Sequence, residues 1–95
     1  MVGGIAVAAT RSQHRGMVRL MLKFPRVRGA LQLLEVRKPT VINLYEAYED
    51  ACSTLETLQV AALSDPVLLA EYAALCTEIE TDVIALCLAF ERNGS

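Results

Sequence analysis

Residues 40–92 read TVINLYEAYEDACSTLETLQVAALSDPVLLAEYAALCTEIETDVIALCLAFER, and how this stretch folds decides the rest of the chain. Val41, Leu44, Tyr48, Ala51, Leu55, Leu58 and Ala62 step by 3, 4, 3, 4, 3, 4, the spacing that keeps side chains on one face of an α-helix. Tyr45 and Cys52 flank that stripe, while Asn43, Glu46, Asp50, Ser53 and Thr57 take the opposite, solvated side. The same steps return in Leu69, Tyr72, Cys76, Ile79, Val83, Leu86 and Phe90, with Glu71, Glu78, Thr81 and Asp82 on the wet face. Between them Ser64-Asp65-Pro66 supplies a capping oxygen and a proline suited to a first helical turn. A link this short makes the two helices antiparallel neighbours. The stretch is expected to be a long hairpin, about 40–63 and 66–92, the first helix capped by Thr40. Arg92 in the last turn and Asn93-Gly94 after it close the second helix.

Residues 83–90 carry no polar side chain. One neighbouring helix covers only part of a helical circumference, so this end needs a second cover, from the N-terminal segment, from another copy or from both. It lies level with about 39–46, where the chain enters the hairpin, so the 26–37 segment is well placed to cap it. With 54% hydrophobic residues in a 95-residue chain, a single hairpin leaves apolar surface open. Two hairpins packing as a dimeric helical bundle close it. The candidate interface residues are Tyr45, Tyr48, Val83, Leu86, Cys87 and Phe90, and a partner protein is expected at the same open end. The stripes could also serve a long coiled coil, but each helix holds about three heptads before the turn interrupts them, which favours the bundle.

Upstream, Val18, Leu20, Leu22 and Phe24 alternate with other residues at the period of a strand. Met17, Leu20, Phe24, Val27, Leu31 and Leu34 step at the period of a helix. Leu, Met, Arg and Lys favour the helix, and Pro25 breaks it. A short helix over about 26–37 is expected, with 17–24 a helical turn or two rather than an edge strand. Pro39 ends it. The polar run TRSQHRG at 10–16 reads as turn-like. Residues 1–16 are therefore a flexible basic leader, and 17–95 a single all-α domain.

The net charge of −2 conceals a division. Residues 1–38 hold eight basic side chains against Glu35 alone, and residues 39–95 hold ten acids against Arg92 alone. The basic segment admits three uses. It can pair with the acidic helices of its own or a second chain. It can bind phosphate backbones through Arg11, Arg15, Arg19, Lys23, Arg26 and Arg28, making the protein a nucleic-acid-binding regulator. In a variant of that use, residues 18–24 form a β-ribbon, although the later helices exceed what such a module needs. It can also serve as an organelle transit peptide, which scarce serine and core-like aliphatics disfavour.

The composition supplies little chemistry. His14 is the sole histidine, with no Glu-x-x-His partner, and is expected to be a solvated residue with no catalytic or metal role. Glu46, Glu49, Asp50, Glu78, Glu80 and Asp82 are expected to be solvated surface charge. Cys52, Cys76 and Cys87 are odd in number without a CxxC, which fits reduced core thiols in the cytoplasm. Cys52 and Cys76 fall at one level of the hairpin, where a cross-helix disulfide needs the two Cα atoms within ~7 Å. No apolar run approaches the ~20 residues of a membrane span. The expectation is a non-enzymatic interaction or regulatory module without a cofactor.

Overall fold

The structure, a computed structural model, describes residues 10–61 and 65–93. These form four α-helices: α1 (Arg11–Lys23), α2 (Arg28–Arg37), α3 (Val41–Val60) and α4 (Pro66–Arg92), with a 3-10 turn at Pro25–Val27 between the first two. No strand occurs among the described residues. The all-α expectation holds, and the four helices pack together.

The first helix starts earlier than expected. The Gln13 backbone N–H donates to Thr10 Oγ1 at 3.2 Å, and the Thr10 N–H donates to Gln13 Oε1 at 2.8 Å. This reciprocal pair is a capping box, which satisfies two of the donors left open at a helix start. Residues 11–16 are therefore helical rather than a flexible leader, and residues 1–9 lie outside the described part. The helix runs through Lys23, so the edge-strand option for 17–24 is excluded. Phe24 leaves the helical region at φ −126°, ψ 69°, because the ring of Pro25 disfavours α geometry in the residue before it. Lys38 does the same ahead of Pro39 and ends α2.

Thr40 was expected to cap α3 with its side chain, and it does not. It is itself helical, at φ −63°, ψ −21°. The N–H groups of Val41, Ile42 and Asn43 bond back to the carbonyls of Lys38, Pro39 and Thr40, so the backbone supplies the cap. The helix ends at Val60 rather than near 63. Ser64 lies outside the described residues, but Asp65 behaves as expected: its Oδ1 accepts from Val67 N–H at 2.9 Å, with Pro66 in the first turn of α4.

Two cross-helix contacts set the relation of α3 to α4. Tyr48 meets Glu80 and Cys52 meets Cys76, so one number falls as the other rises, and the helices run in opposite senses there. Helix α1 follows α3 in the same sense, with Gln13 at Glu46, Arg15 and Arg19 at Glu49, and Arg19 again at Glu56. The two helices come close at Gly16. A Cβ there would overlap the carbonyl of Tyr45, so only glycine admits this crossing.

The core gathers Met17, Leu20, Leu31, Leu34, Val41, Tyr45, Val83 and Cys87 among others. Tyr45, expected at the flank of its stripe, is at the centre, and its hydroxyl donates to the Leu31 carbonyl at 2.6 Å. The buried arc of α3 is wider than one stripe because α1 lies on one side of it and α4 on the other. Principal extents of 45 × 38 × 18 Å make the molecule about two helices thick, so every helix keeps a face in solvent.

Burial divides unevenly along α3 and α4. On α3 it stops at Ala51, and on α4 it resumes at Cys76. The end expected to stand open is the covered one: Val83 and Cys87 are 0% exposed, and Leu86 and Phe90 are half-buried beside Leu34 of α2. Among the described residues between Ala51 and Cys76 no side chain is fully buried; Cys52, Leu55 and Tyr72 are half-buried against the core and the outer face of this arm is uncovered.

Candidate interaction surfaces and the charge network

Three basic side chains of α1 recur every four residues, Arg15, Arg19 and Lys23, and so share one face. They meet acids of α3 and α4. Arg19 Nε donates to Glu49 Oε1 at 2.6 Å, and its two terminal nitrogens hold both oxygens of Glu56, at 2.7 and 3.1 Å. The bidentate grip on Glu56 and the Nε bond to Glu49 together use every nitrogen of the guanidinium. Glu49 was expected among the solvated acids, but it is only 5% exposed. Helix α1 covers it and supplies Arg19 and, at 3.5 Å, Arg15 Nε, while Ser53 of α3 itself donates its Oγ hydroxyl at 3.1 Å, and these partners make burial tolerable. Glu80 is the second exception among those acids. Its Oε2 accepts from Lys23 Nζ at 2.7 Å and from the Tyr48 hydroxyl at 2.6 Å.

These contacts hold the protonation states in place. Arg19 is pushed further up by its hydrogen bonds to Glu56 and Glu49, and Glu56 is pulled down by Arg19. Lys23 is raised by its bond to Glu80. Tyr48 is raised first by burial and then by Glu80, and Tyr45 chiefly by burial. Burial also lifts the thiols of Cys76 and Cys87 to about 11.

Of the six candidate nucleic-acid contacts, Arg15, Arg19 and Lys23 are engaged with acids of the same chain. Arg11, Arg26 and Arg28 are exposed and form no ion pair among the described residues. The regular spacing of Arg15, Arg19 and Lys23 was the signal for an internal partner face. Of the six candidate interface residues, Tyr45, Tyr48, Val83 and Cys87 are consumed by the chain's own core, because α1 and α2 cover them. Leu86 and Phe90 line a shallow cleft with Leu34, Lys38, Ala89 and Asn93. His14 is exposed on α1.

Among the described residues, apart from the exposed Leu22 and Leu88, the exposed large aliphatics fall on two faces. On the arm, Val60 is 84% exposed, and Val67, Leu68 and Leu75 are exposed as well. Leu68 and Leu75 share a face with Glu71, and with Tyr72 they surround a shallow depression. On α2, Leu33 and Val36 (73% exposed) stand with Gly29 and Arg37 on the side away from the core. The first face carries acid and the second carries base.

Among the described residues, no cluster of three His, Cys, Asp or Glu side chains could hold a metal ion, and no helix is long and apolar enough to cross a membrane. Comparison with family models, curated proteins and solved structures finds no match.

Proposed function

We propose that the protein is a small non-enzymatic interaction module that works as a homodimer in the cytoplasm. In this reading α3 and α4 form one long antiparallel hairpin, and the bare arm of each copy docks on α2 of the other. The observation that carries it is the interruption of burial between Ala51 and Cys76, which leaves Val60, Val67, Leu68 and Leu75 uncovered in a chain that buries its other end well. Such an arm is an unfinished core, and covering it is favourable at ~25 cal/mol per Å².

A second copy fits both in charge and in length. Glu71 lies beside Leu68 and Leu75, and Arg37 beside Leu33 and Val36; neither charge forms an ion pair among the described residues. The 27 residues of α4 span about 40 Å at 1.5 Å each. A twofold axis near its midpoint carries the arm of one copy to the level of α2 in the other. Each dimer then makes the arm-to-α2 contact twice.

Charge reversal tests the arrangement. Glu71→Lys and Arg37→Glu should each weaken the dimer about tenfold, since two copies of a rim contact turn repulsive. Combining both in one chain should restore most of the affinity, measured by sedimentation at low salt. Additive weakening in the double variant would count against the pairing. The alternative, a nucleic-acid-binding regulator, rests on Arg11, Arg26 and Arg28. It predicts binding that falls steeply with salt and that is lost when all three become Ala.

A further inference from the structure

The Sγ atoms of Cys52 and Cys76 face each other across α3 and α4 at 3.8 Å. We propose that this pair is a redox-active dithiol that accepts oxidation from a low-molecular-weight disulfide and closes into an intramolecular bond at the root of the arm. A disulfide needs the sulfurs at ~2.05 Å, so the pair closes by less than 2 Å, within the reach of side-chain adjustment. The two sulfurs are unequal. Cys52 is half-buried and reachable from solvent, whereas Cys76 is buried. The ammonium of Lys23, held by Glu80, lies near both thiols; burial, the Cys52 sulfur and Glu80 together raise Cys76 to about 11, which Lys23 offsets only in part. Cys87, buried elsewhere in the core, has no sulfur partner among the described residues.

The exchange runs in two balanced steps. Cys52 gives its proton to solvent, and its thiolate attacks one sulfur of the small disulfide. The S–S bond breaks, and one small thiolate leaves and takes up a proton. Cys76 then loses its proton and attacks the Cys52 sulfur of the mixed disulfide, expelling the second small thiolate, which is protonated in turn. Two protein thiols are oxidised and one small disulfide is reduced to two thiols. The bond lies where burial on α3 ends and burial on α4 begins. It therefore fastens the base of the arm and encloses the whole arm in one covalent loop. This inference needs only the α3–α4 contact and does not depend on the dimer.

The full-length protein is incubated with oxidised glutathione and assayed by intact mass under non-reducing denaturing conditions, with titration of free thiols. The expected result is the loss of two hydrogens, a fall from three titrating thiols to one, and a peptide linking Cys52 to Cys76. Cys87→Ser should still form the link. Cys76→Ser should stop at a glutathione adduct on Cys52. Three thiols persisting, a stable adduct on Cys52 of the unmodified protein, or a bond between two chains would overturn the assignment.

Discussion

Arg19 Nε stands 2.6 Å from Glu49 Oε1, which ties α1 to a carboxylate that is almost wholly removed from water. The arginine compensates a charge that could not otherwise be buried at that crossing. Replacing Arg19 with Met leaves Glu49 with only the longer Arg15 contact and Ser53, and should cost about 3 kcal/mol in urea unfolding. Replacing both, Arg19→Met with Glu49→Leu, should recover most of the loss, because no charge is then stranded. A double variant no better than the single would mean that the pair contributes through packing alone.

Two glycines should respond in opposite directions. At Gly16 a methyl group would run into the Tyr45 carbonyl, so Gly16→Ala should destabilise by about 1–3 kcal/mol despite the better helix propensity of alanine. At Gly29 nothing lies within 4 Å of an added Cβ, and Gly29→Ala should stabilise by about 0.5–1 kcal/mol. Thermal melts of the two variants side by side check the pair. Equal shifts would contradict the close approach of α1 to α3.

These two residues also mark where sequence patterns inform and where they stop. Helix α4 was legible from both ends, because Asp65-Pro66 states its start and the apolar stripe from Leu69 to Phe90 states its face. The start of α1 was written in Thr10-x-x-Gln13 but is followed by a polar run that resembles a turn. Its stripe is narrow, since Gly16 shows no apolar side chain and Arg19 and Lys23 spend their length on neighbouring acids. Gly16 as a crossing point has no local signature; its meaning comes from Tyr45, 29 positions away. The apolar circumference at 83–90 called correctly for a second cover. Its level, opposite residues 39–46 where the chain enters the hairpin, pointed to the 26–37 segment as that cover, and Leu34 of α2 lies there beside Leu86 and Phe90. The lie of α1 across α3 depends on the reversal at Phe24-Pro25, a geometry that periodicity does not encode. The uncovered outer face of the arm was missed because its apolar stripes continue unbroken past Ala51 and before Cys76 although, among the described residues, no third helix covers them.

Stability should be level through neutral pH and fall on the alkaline side. The folded state holds protons on Cys76, Cys87, Tyr45, Tyr48 and Lys23 more tightly than the unfolded chain does. Groups raised on folding contribute below their unfolded pKa and lose that contribution as pH rises through the folded value. The cysteines move from 9.0 to about 11, so the decline should begin near pH 9. On the acid side Glu56 is lowered by Arg19, and its contribution should be lost as pH falls through its folded value. Glu56 is exposed, so that contribution is small. Urea midpoints from pH 4 to 11 check this. Cys87→Ala should make the alkaline decline shallower, and a steep fall already at pH 7–8 would contradict the assignment.

The uncovered arm is the centre of the account, and light scattering coupled to size exclusion at micromolar concentration tests it most directly. The prediction is a mass twice the 10.4 kDa of one chain, reverting to one chain in Leu75→Glu with helicity unchanged. A single-chain mass for the unmodified protein, or a dimer indifferent to Leu75→Glu, would contradict it.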